Sequence, residues 1–359
     1  MIRIGHIADI HLGRTFSDYG SLSGKFIRSA IFESFKNAVD IAKDESEILL
    51  IAGDLFDKNF LHTDPLVKNT QSLLESYKNN VIICPGGHDA IKEDSPYVLS
   101  DWPKNVTVLS NELTQNLFEI NDLEILIVGK GNYYNKDDQS PLDKIKVKKN
   151  SINIAIAHGS VPRGDLGSND YPINIKSLLS SGFDYIALGH YHDFSIENNK
   201  NPTIVYSGSL NPLRFGQTGG YLILAAINDK KEITIKKEKV GKISFIKIET
   251  SHHEPIEEIK KILMEIAKPE YTSINIKVTR NLEYKKIQEI KNYIDIEKNN
   301  FLFINLENIP VKEERISFPQ KSLFAFVEKT ANDLSKNTLD DTRKEIVALA
   351  KEELISRLG

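Results

Sequence analysis

Ile48-Leu49-Leu50-Ile51-Ala52-Gly53-Asp54 is the stretch on which the fold turns. Apolar residues in unbroken succession, without alternation, read as a parallel strand covered on both faces. Gly53 permits a tight turn, and Asp54 is then presented at the carboxyl edge of the sheet, where open α/β sheets place their ligands. The same layout recurs on either side. Residues 2–7 read as a buried strand that ends at Ala8-Asp9, with His11 two positions on. Val81-Ile82-Ile83-Cys84 reads as a strand stopped by Pro85-Gly86 and followed by Gly87-His88-Asp89. Between these strands, residues 26–42 have helical spacing, with Ile27, Ala30, Ile31, Phe35, Ala38, Val39 and Ala42 on one face. Asp64-Pro65 marks a second helix start, an N-cap followed by proline at the first helical position. This βαβα alternation predicts a layered α/β domain.

Further strands are expected at residues 125–128, 152–157, 185–188, 203–206 and 221–226. The last should pair with residues 233–237 across Asn228-Asp229-Lys230, a hairpin signal. Two of these strands end in histidine: His158 follows one, and Gly189-His190-Tyr191-His192 follows another. After residue 243 the pattern becomes strand, helix, strand, helix, strand, as expected for a small α+β domain. Residues 309–319 read as a linker, and two amphipathic helices close the chain, one carrying Leu323, Val327, Ala331 and Leu334, the other Val347, Ala350, Leu354 and Leu358. The expected organisation is therefore 1–242, 243–310 and 311–359.

Composition narrows the function. The chain has 359 residues, 40% of them hydrophobic, enough for a substantial core. No apolar run approaches the roughly twenty residues of a membrane span, and Met1-Ile2-Arg3-Ile4-Gly5 runs into a strand without a signal-peptide layout. The single cysteine, Cys84, excludes an intrachain disulfide and fits a reducing, cytoplasmic setting. A formal net charge of −4 excludes a basic DNA-coating protein. A nucleic-acid partner would have to use local patches: Lys144, Lys146, Lys148 and Lys149, or Lys230, Lys231, Lys236, Lys237, Lys239 and Lys242. No Gly-x-x-x-x-Gly-Lys-Ser/Thr string is present, so any ATPase would have to be a partner.

Asp9 and His11, two apart on extended chain, point to one side, as do His190 and His192. Aspartates and histidines converging from several strand ends make a two-metal hydrolytic site, in which a carboxylate such as Asp54 can bridge ions roughly 3.5–4 Å apart. Asp57, three residues beyond Asp54, reads more simply as a helix cap.

The five strings D-x-H, G-D, G-x-H-D, His and G-H-x-H, in this order over residues 9–192, resemble the calcineurin-like metallophosphoesterase superfamily. His11-Leu12-Gly13, Gly53-Asp54-Leu55-Phe56-Asp57 and Tyr206-Ser207-Gly208-Ser209 resemble its DNA-repair exonuclease branch, the SbcD-like nucleases. The resemblance implies an α-β-β-α sandwich with an α+β capping domain and a C-terminal helix pair that docks on an SbcC-like coiled-coil ABC ATPase. It implies two divalent ions, usually Mn2+, one held by Asp9, His11, Asp54 and His192, the other by Asp54, His158 and His190. His88 would be the positioned acid. DNA would be the substrate, the protein a homodimer, with the helices around residues 65–78 as its expected seam, and the setting the nucleoid if the source is prokaryotic.

One position departs from the pattern. The family places Asn where this chain has Gly87, and the Asn amide oxygen serves the second metal. Without it, the second ion is expected to be weakly held unless a ligand comes from elsewhere, such as Asp89. Two other functions stay open on these residues: a small-molecule phosphodiesterase or phosphatase, and a catalytically weak DNA-tethering subunit.

Overall fold

In the computed structural model, described over residues 1–133, 140–142, 145, 147, 150–162, 170–312, 329–330, 333 and 349–350, the chain divides into two compact units. The first comprises Met1–Lys247, Lys268–Ile274 and Asn300–Phe303. The second comprises Ile248–Ala267, Asn275–Asn299 and the chain from Ile304.

Residues 1–238 form β1 (Ile2–Ile7), α1 (Ser21–Glu45), β2 (Ile48–Ile51), α2 (Pro65–Glu75), β3 (Asn80–Ile83), α3 (Pro96–Leu99), β4 (Val106–Val108), β5 (Thr114–Ile120), β6 (Leu123–Gly129), β7 (Ile152–His158), α4 (Ile175–Leu179), β8 (Tyr185–Gly189), β9 (Ser195–Asn199), β10 (Thr203–Tyr206), β11 (Leu222–Ile227) and β12 (Ile233–Glu238). They build two six-stranded sheets. The strand order is β12-β11-β1-β2-β3-β4 in one and β5-β6-β7-β8-β10-β9 in the other. β1, β2, β3 and β4 run parallel, as do β6, β7, β8 and β10. The expected hairpin is present, with Ile227 opposite Ile233.

The unbroken apolar runs are explained by burial on both faces. In β1 and β2, Ile4, Ile48 and Leu50 point between the sheets, where they meet Ile125, Ile127, Ile154, Ile156 and Ala187 of the second sheet. The alternate residues, Ile7, Leu49 and Ile51, face outward onto Ile27, Ile31, Phe35 and Val39 of α1 and Val67 and Leu74 of α2. On the far side of the second sheet, Ala155, Ala157, Ile186, Leu188 and Ile204 pack with Leu178 of α4. The result is the expected mixed α/β sandwich of two large sheets with helices outside.

Three strands escaped the sequence reading, β4, β5 and β9, each at the edge of its sheet, and β4 only three residues long. β5 and β9 are edge strands whose burial never becomes complete, so they lack the apolar run that announces a central strand. Helix α1 also starts earlier than its apolar face predicts, because its first turn, Ser21-Leu22-Ser23-Gly24-Lys25, carries no such face.

The remaining elements are β13 (Ser244–Thr250), α5 (Pro255–Met264), β14 (Thr272–Val278), α6 (Tyr284–Glu297) and β15 (Phe303–Leu306), with the three strands in sequential order in one sheet. Ile259 and Leu263 of α5, and Ile287, Ile290 and Ile294 of α6, supply the buried faces at helical spacing. The 144–149 lysine patch falls outside the described residues, as do the C-terminal helix pair and most of its linker apart from isolated positions. Among the described residues, no helix is long and apolar enough to cross a membrane.

Candidate metal centre

The carboxyl ends of β1, β2, β3, β7 and β8 deliver Asp9, Asp54, His88, His158 and His190 to one edge of the sandwich. The loops after β1 and β2 are laced together. The Asp9, His11 and Leu12 N–H groups donate to the Gly53, Asp54 and Leu55 carbonyls at 2.9–3.0 Å. The price of this convergence is backbone strain: Asp9, His11, Asp54 and His190 have φ of 52°, 51°, 50° and 116°, a region non-glycine residues seldom occupy. Glycines make the remaining room. A Cβ on Gly53, itself at φ 93°, would lie 2.1 Å from His158 Nδ1, and one on Gly86 would lie 2.2 Å from Asp54 Oδ1. One on Gly189 would lie 1.8 Å from the Ala52 carbonyl oxygen.

Among the described residues, three groups of possible ligands have their donor atoms within 4.8 Å of one another: two triads around the aspartates, Asp9, His11 and His192, and Asp9, Asp54 and His158, and beside them a third group, His11, Asp57 and His88. Asp54 Oδ2 lies 3.6 Å from His11 Nε2 and 3.4 Å from His158 Nε2, between the two histidines. His158 Nδ1–H donates to the Ala52 carbonyl at 3.1 Å, which frees Nε2 to face Asp54. His11 Nδ1–H donates to Asp57 Oδ1 at 3.0 Å, which likewise frees Nε2. The His190 ring lies edge-on to His158, with centroids 5.5 Å apart, and stands outside both triads. Its backbone N–H is 3.0 Å from both Asp9 oxygens.

The electrostatics suit cations. Burial, reinforced by the Asp54 charge, pushes the Asp9 carboxyl well above its ordinary value against the pull of the His190 N–H. Burial also acts upward on Asp54, but His158, His11 and His88 outweigh it and hold that carboxyl at about 2. Burial, with His158 nearby, lowers His190 to about 4, and burial, with His11 nearby, lowers His192 to about 3. These imidazoles are neutral at neutral pH, as ligands must be. Two buried carboxyl groups ringed by imidazole nitrogens, with no buried Lys or Arg among the described residues, fit a pair of divalent ions.

Three residues had a larger part than the sequence suggested. Asp57 is not a helix cap. It accepts from His11, takes a 3.4 Å contact from Arg14 Nη1, and offers its carbonyl to His88 Nδ1–H at 3.1 Å. Gln217 donates to His192 Nδ1 at 3.0 Å while its own Oε1 accepts the Leu213 N–H at 2.9 Å. Nothing in the sequence ties residue 217 to His192. Asp89 is committed elsewhere: its carboxylate accepts from the Gly86 N–H at 2.7 Å, the Phe56 N–H at 3.0 Å and the Tyr97 hydroxyl at 2.6 Å. It staples the 86–89 loop and does not substitute for the side chain missing at Gly87. His88 is exposed; its N–H donates to Asp54 Oδ1 at 2.9 Å, and its ring meets His11 edge-on at 4.8 Å.

Three of the six lysines of the second patch are engaged within the chain. Lys231 pairs with Asp184 at 3.0 Å, Lys236 pairs with Glu238 at 2.9 Å and Glu45 at 3.5 Å, and Lys237 covers the Phe194 and Tyr221 rings.

Comparison with known proteins places this geometry. The chain is 25% identical over 235 residues to the uncharacterized metallophosphoesterase YhaO of Bacillus subtilis (strain 168), an alignment covering 62% of this chain and 57% of that protein. The chain thus spans little more than half the length of that relative. The family model for calcineurin-like phosphoesterases matches residues 2–194, which include every strand end that delivers a triad residue, and so the chain belongs to the calcineurin-like phosphoesterase family, whose members hydrolyse phosphoesters with divalent metals.

Proposed function

We propose that this protein is a two-metal-dependent DNA exo/endonuclease of the SbcD type, acting in double-strand-break repair. The observation that carries the two-ion reading is Asp54 Oδ2, which lies within 3.6 Å of an imidazole nitrogen from each triad. Asp9, His11, Asp54 and His192 would hold one ion, and Asp54, His158 and His190 the other, with Mn2+ the expected metal. Such ions, when bound, supply Lewis-acid charge to a phosphodiester and lower the pKa of a water nucleophile. The chain's own residues do the rest. Asp54 and the Asp57 carbonyl fix the His88 backbone and ring, so that Nε2 is the atom from which a proton reaches the leaving oxygen. Arg14, steadied by Asp57, places positive charge beside the triads. In this reading the protein works in the cytoplasm as a homodimer, and its C-terminal segment docks on an SbcC-like ATPase.

A second reading, a phosphodiesterase for small molecules, draws on the lysines at 231, 236 and 237, whose charge is engaged within the chain and offers less to a DNA backbone. Cleavage of linear duplex DNA in Mn2+, set beside hydrolysis of a cyclic nucleotide, separates the two. DNA cleavage that falls by about 10²–10⁴-fold in His88→Ala is expected. Cyclic-nucleotide turnover without DNA cleavage would favour the second reading, and undiminished DNA cleavage by His88→Ala would refute the assigned role.

A further inference from the structure

The Gly87 backbone does not demand glycine, since its φ is not among the positive ones. What the site lacks there is a side-chain oxygen, and Asp89 cannot supply it. Asn132 can. It follows β6 at the same edge of the sandwich, is 1% exposed, and is tied to two segments that carry the site. Its N–H donates to the Pro85 carbonyl at 2.9 Å, and its carbonyl accepts from the Ile91 N–H at 2.8 Å, so its backbone brackets the 86–89 loop. Its side-chain Nδ2 donates to the backbone carbonyl of His158 at 3.3 Å. That carbonyl can only accept, so the orientation of the amide is fixed: NH2 toward His158, oxygen away. The oxygen, Oδ1, is fully buried and has no hydrogen-bond partner.

A buried acceptor left unmatched is costly and calls for a reason. A hard, neutral amide oxygen on a residue tied through its amide to His158 and through its backbone to Pro85 and Ile91 is the chemistry a divalent ion takes in the company of carboxylate and imidazole. From this juxtaposition we infer that Asn132 supplies, from β6, the amide oxygen that Gly87 cannot, and completes the second metal site. The inference rests on the two-ion reading above. It also reverses the consequence expected of Gly87: the second ion is not weakly held, because its ligand has moved to another strand end.

Mn2+ binding tests this without reference to catalysis. Stoichiometry and affinity are measured calorimetrically on the metal-stripped full chain, with metal content checked after desalting. The wild type should bind two ions. Asn132→Ala should keep the first and weaken the second by about 10–100-fold. Gly87→Asn should change little in the wild type, yet restore the second ion in the Asn132→Ala background, a coupling that a purely structural role for Asn132 would not produce. Two ions bound equally tightly by wild type and Asn132→Ala would overturn the inference and leave the two-ion reading standing. One ion in the wild type would overturn both. If Asn132→Ala does not fold, the conservative Asn132→Ser, which shortens the reach of the oxygen, replaces it with the same expectation and the same rescue.

Discussion

Asp57 shows how one side chain can govern a centre from beyond the strand end that carries Asp54. Its carboxylate fixes the His11 tautomer through Nδ1, so that Nε2 faces Asp54, and its carbonyl fixes the ring of His88. A carboxylate behind a ligand histidine also raises the basicity of the ligating nitrogen. Asp57→Ala should therefore weaken Mn2+ at the first site by about 10–100-fold, as read by titration of the stripped protein. Binding at the Asp54–His158 side should be less affected, since His158 is oriented by the Ala52 carbonyl and not by Asp57. An unchanged first-site affinity would show that His11 is held well enough by packing alone. The carboxylate's partner could not be read from the sequence. A position three residues beyond a strand-end Asp is equally suited to capping a helix, and only the lacing of the β1 and β2 loops turns it back onto His11.

At the scale of elements, the strands and the residues at their ends were legible because both follow from one physical demand. A parallel strand buried on two faces must be apolar throughout, and its carboxyl end must stop in residues that turn sharply. The apolar runs at β2, β3, β7 and β8, and the isoleucines of β1, marked the core, and the Asp, His and Gly after them marked the edge. The edge strands β5 and β9 were illegible for the converse reason, since their half-exposed faces require no such run. Illegible too was how tightly the turns close. Gly53 reads in sequence as a flexible turn, but in the fold it combines φ 93° with a His158 ring where its Cβ would stand. Gly53→Ala should therefore cost more than the roughly 1 kcal/mol of an unstrained glycine replacement. It should also displace His158. A lower melting temperature with a parallel loss of Mn2+ affinity is the expected result, and a variant as stable as the wild type would mean the β2 turn relaxes freely.

At the scale of the whole molecule, the two sheets meet over a core of aliphatic side chains and also bring two carboxylates, Asp9 and Asp54, into one buried cluster. The sequence located both carboxylates and the family resemblance put them on one ion; how completely the fold buries them, Asp9 at 0% and Asp54 at 3% exposure, it could not show. Without metal, the cost of burying Asp9, to which the Asp54 charge adds, is relieved by a proton. Asp9 is held above its unfolded value, so the metal-free fold binds a proton that the unfolded chain has released. The stability Asp9 contributes in that form is complete below its unfolded pKa and is lost as pH rises through its folded one. Metal binding needs the carboxylate and expels that proton. Above pH ~5, His190, His192 and Asp54, held in the fold at about 4, 3 and 2, have already lost their protons and release none when a metal binds. The rise in melting temperature on adding Mn2+ should therefore grow as pH increases from acidic to neutral, then level off. Ligand at a hundred times its dissociation constant adds about 2.7 kcal/mol per site, a shift of several degrees for a domain of this size. Asp54→Ala, which removes the carboxylate that presses on Asp9, should shrink the shift and flatten its pH dependence. A metal-induced shift equally large at acidic and neutral pH would mean that Asp9 carries no proton in the metal-free fold, and that the two carboxylates are kept apart by something other than protonation.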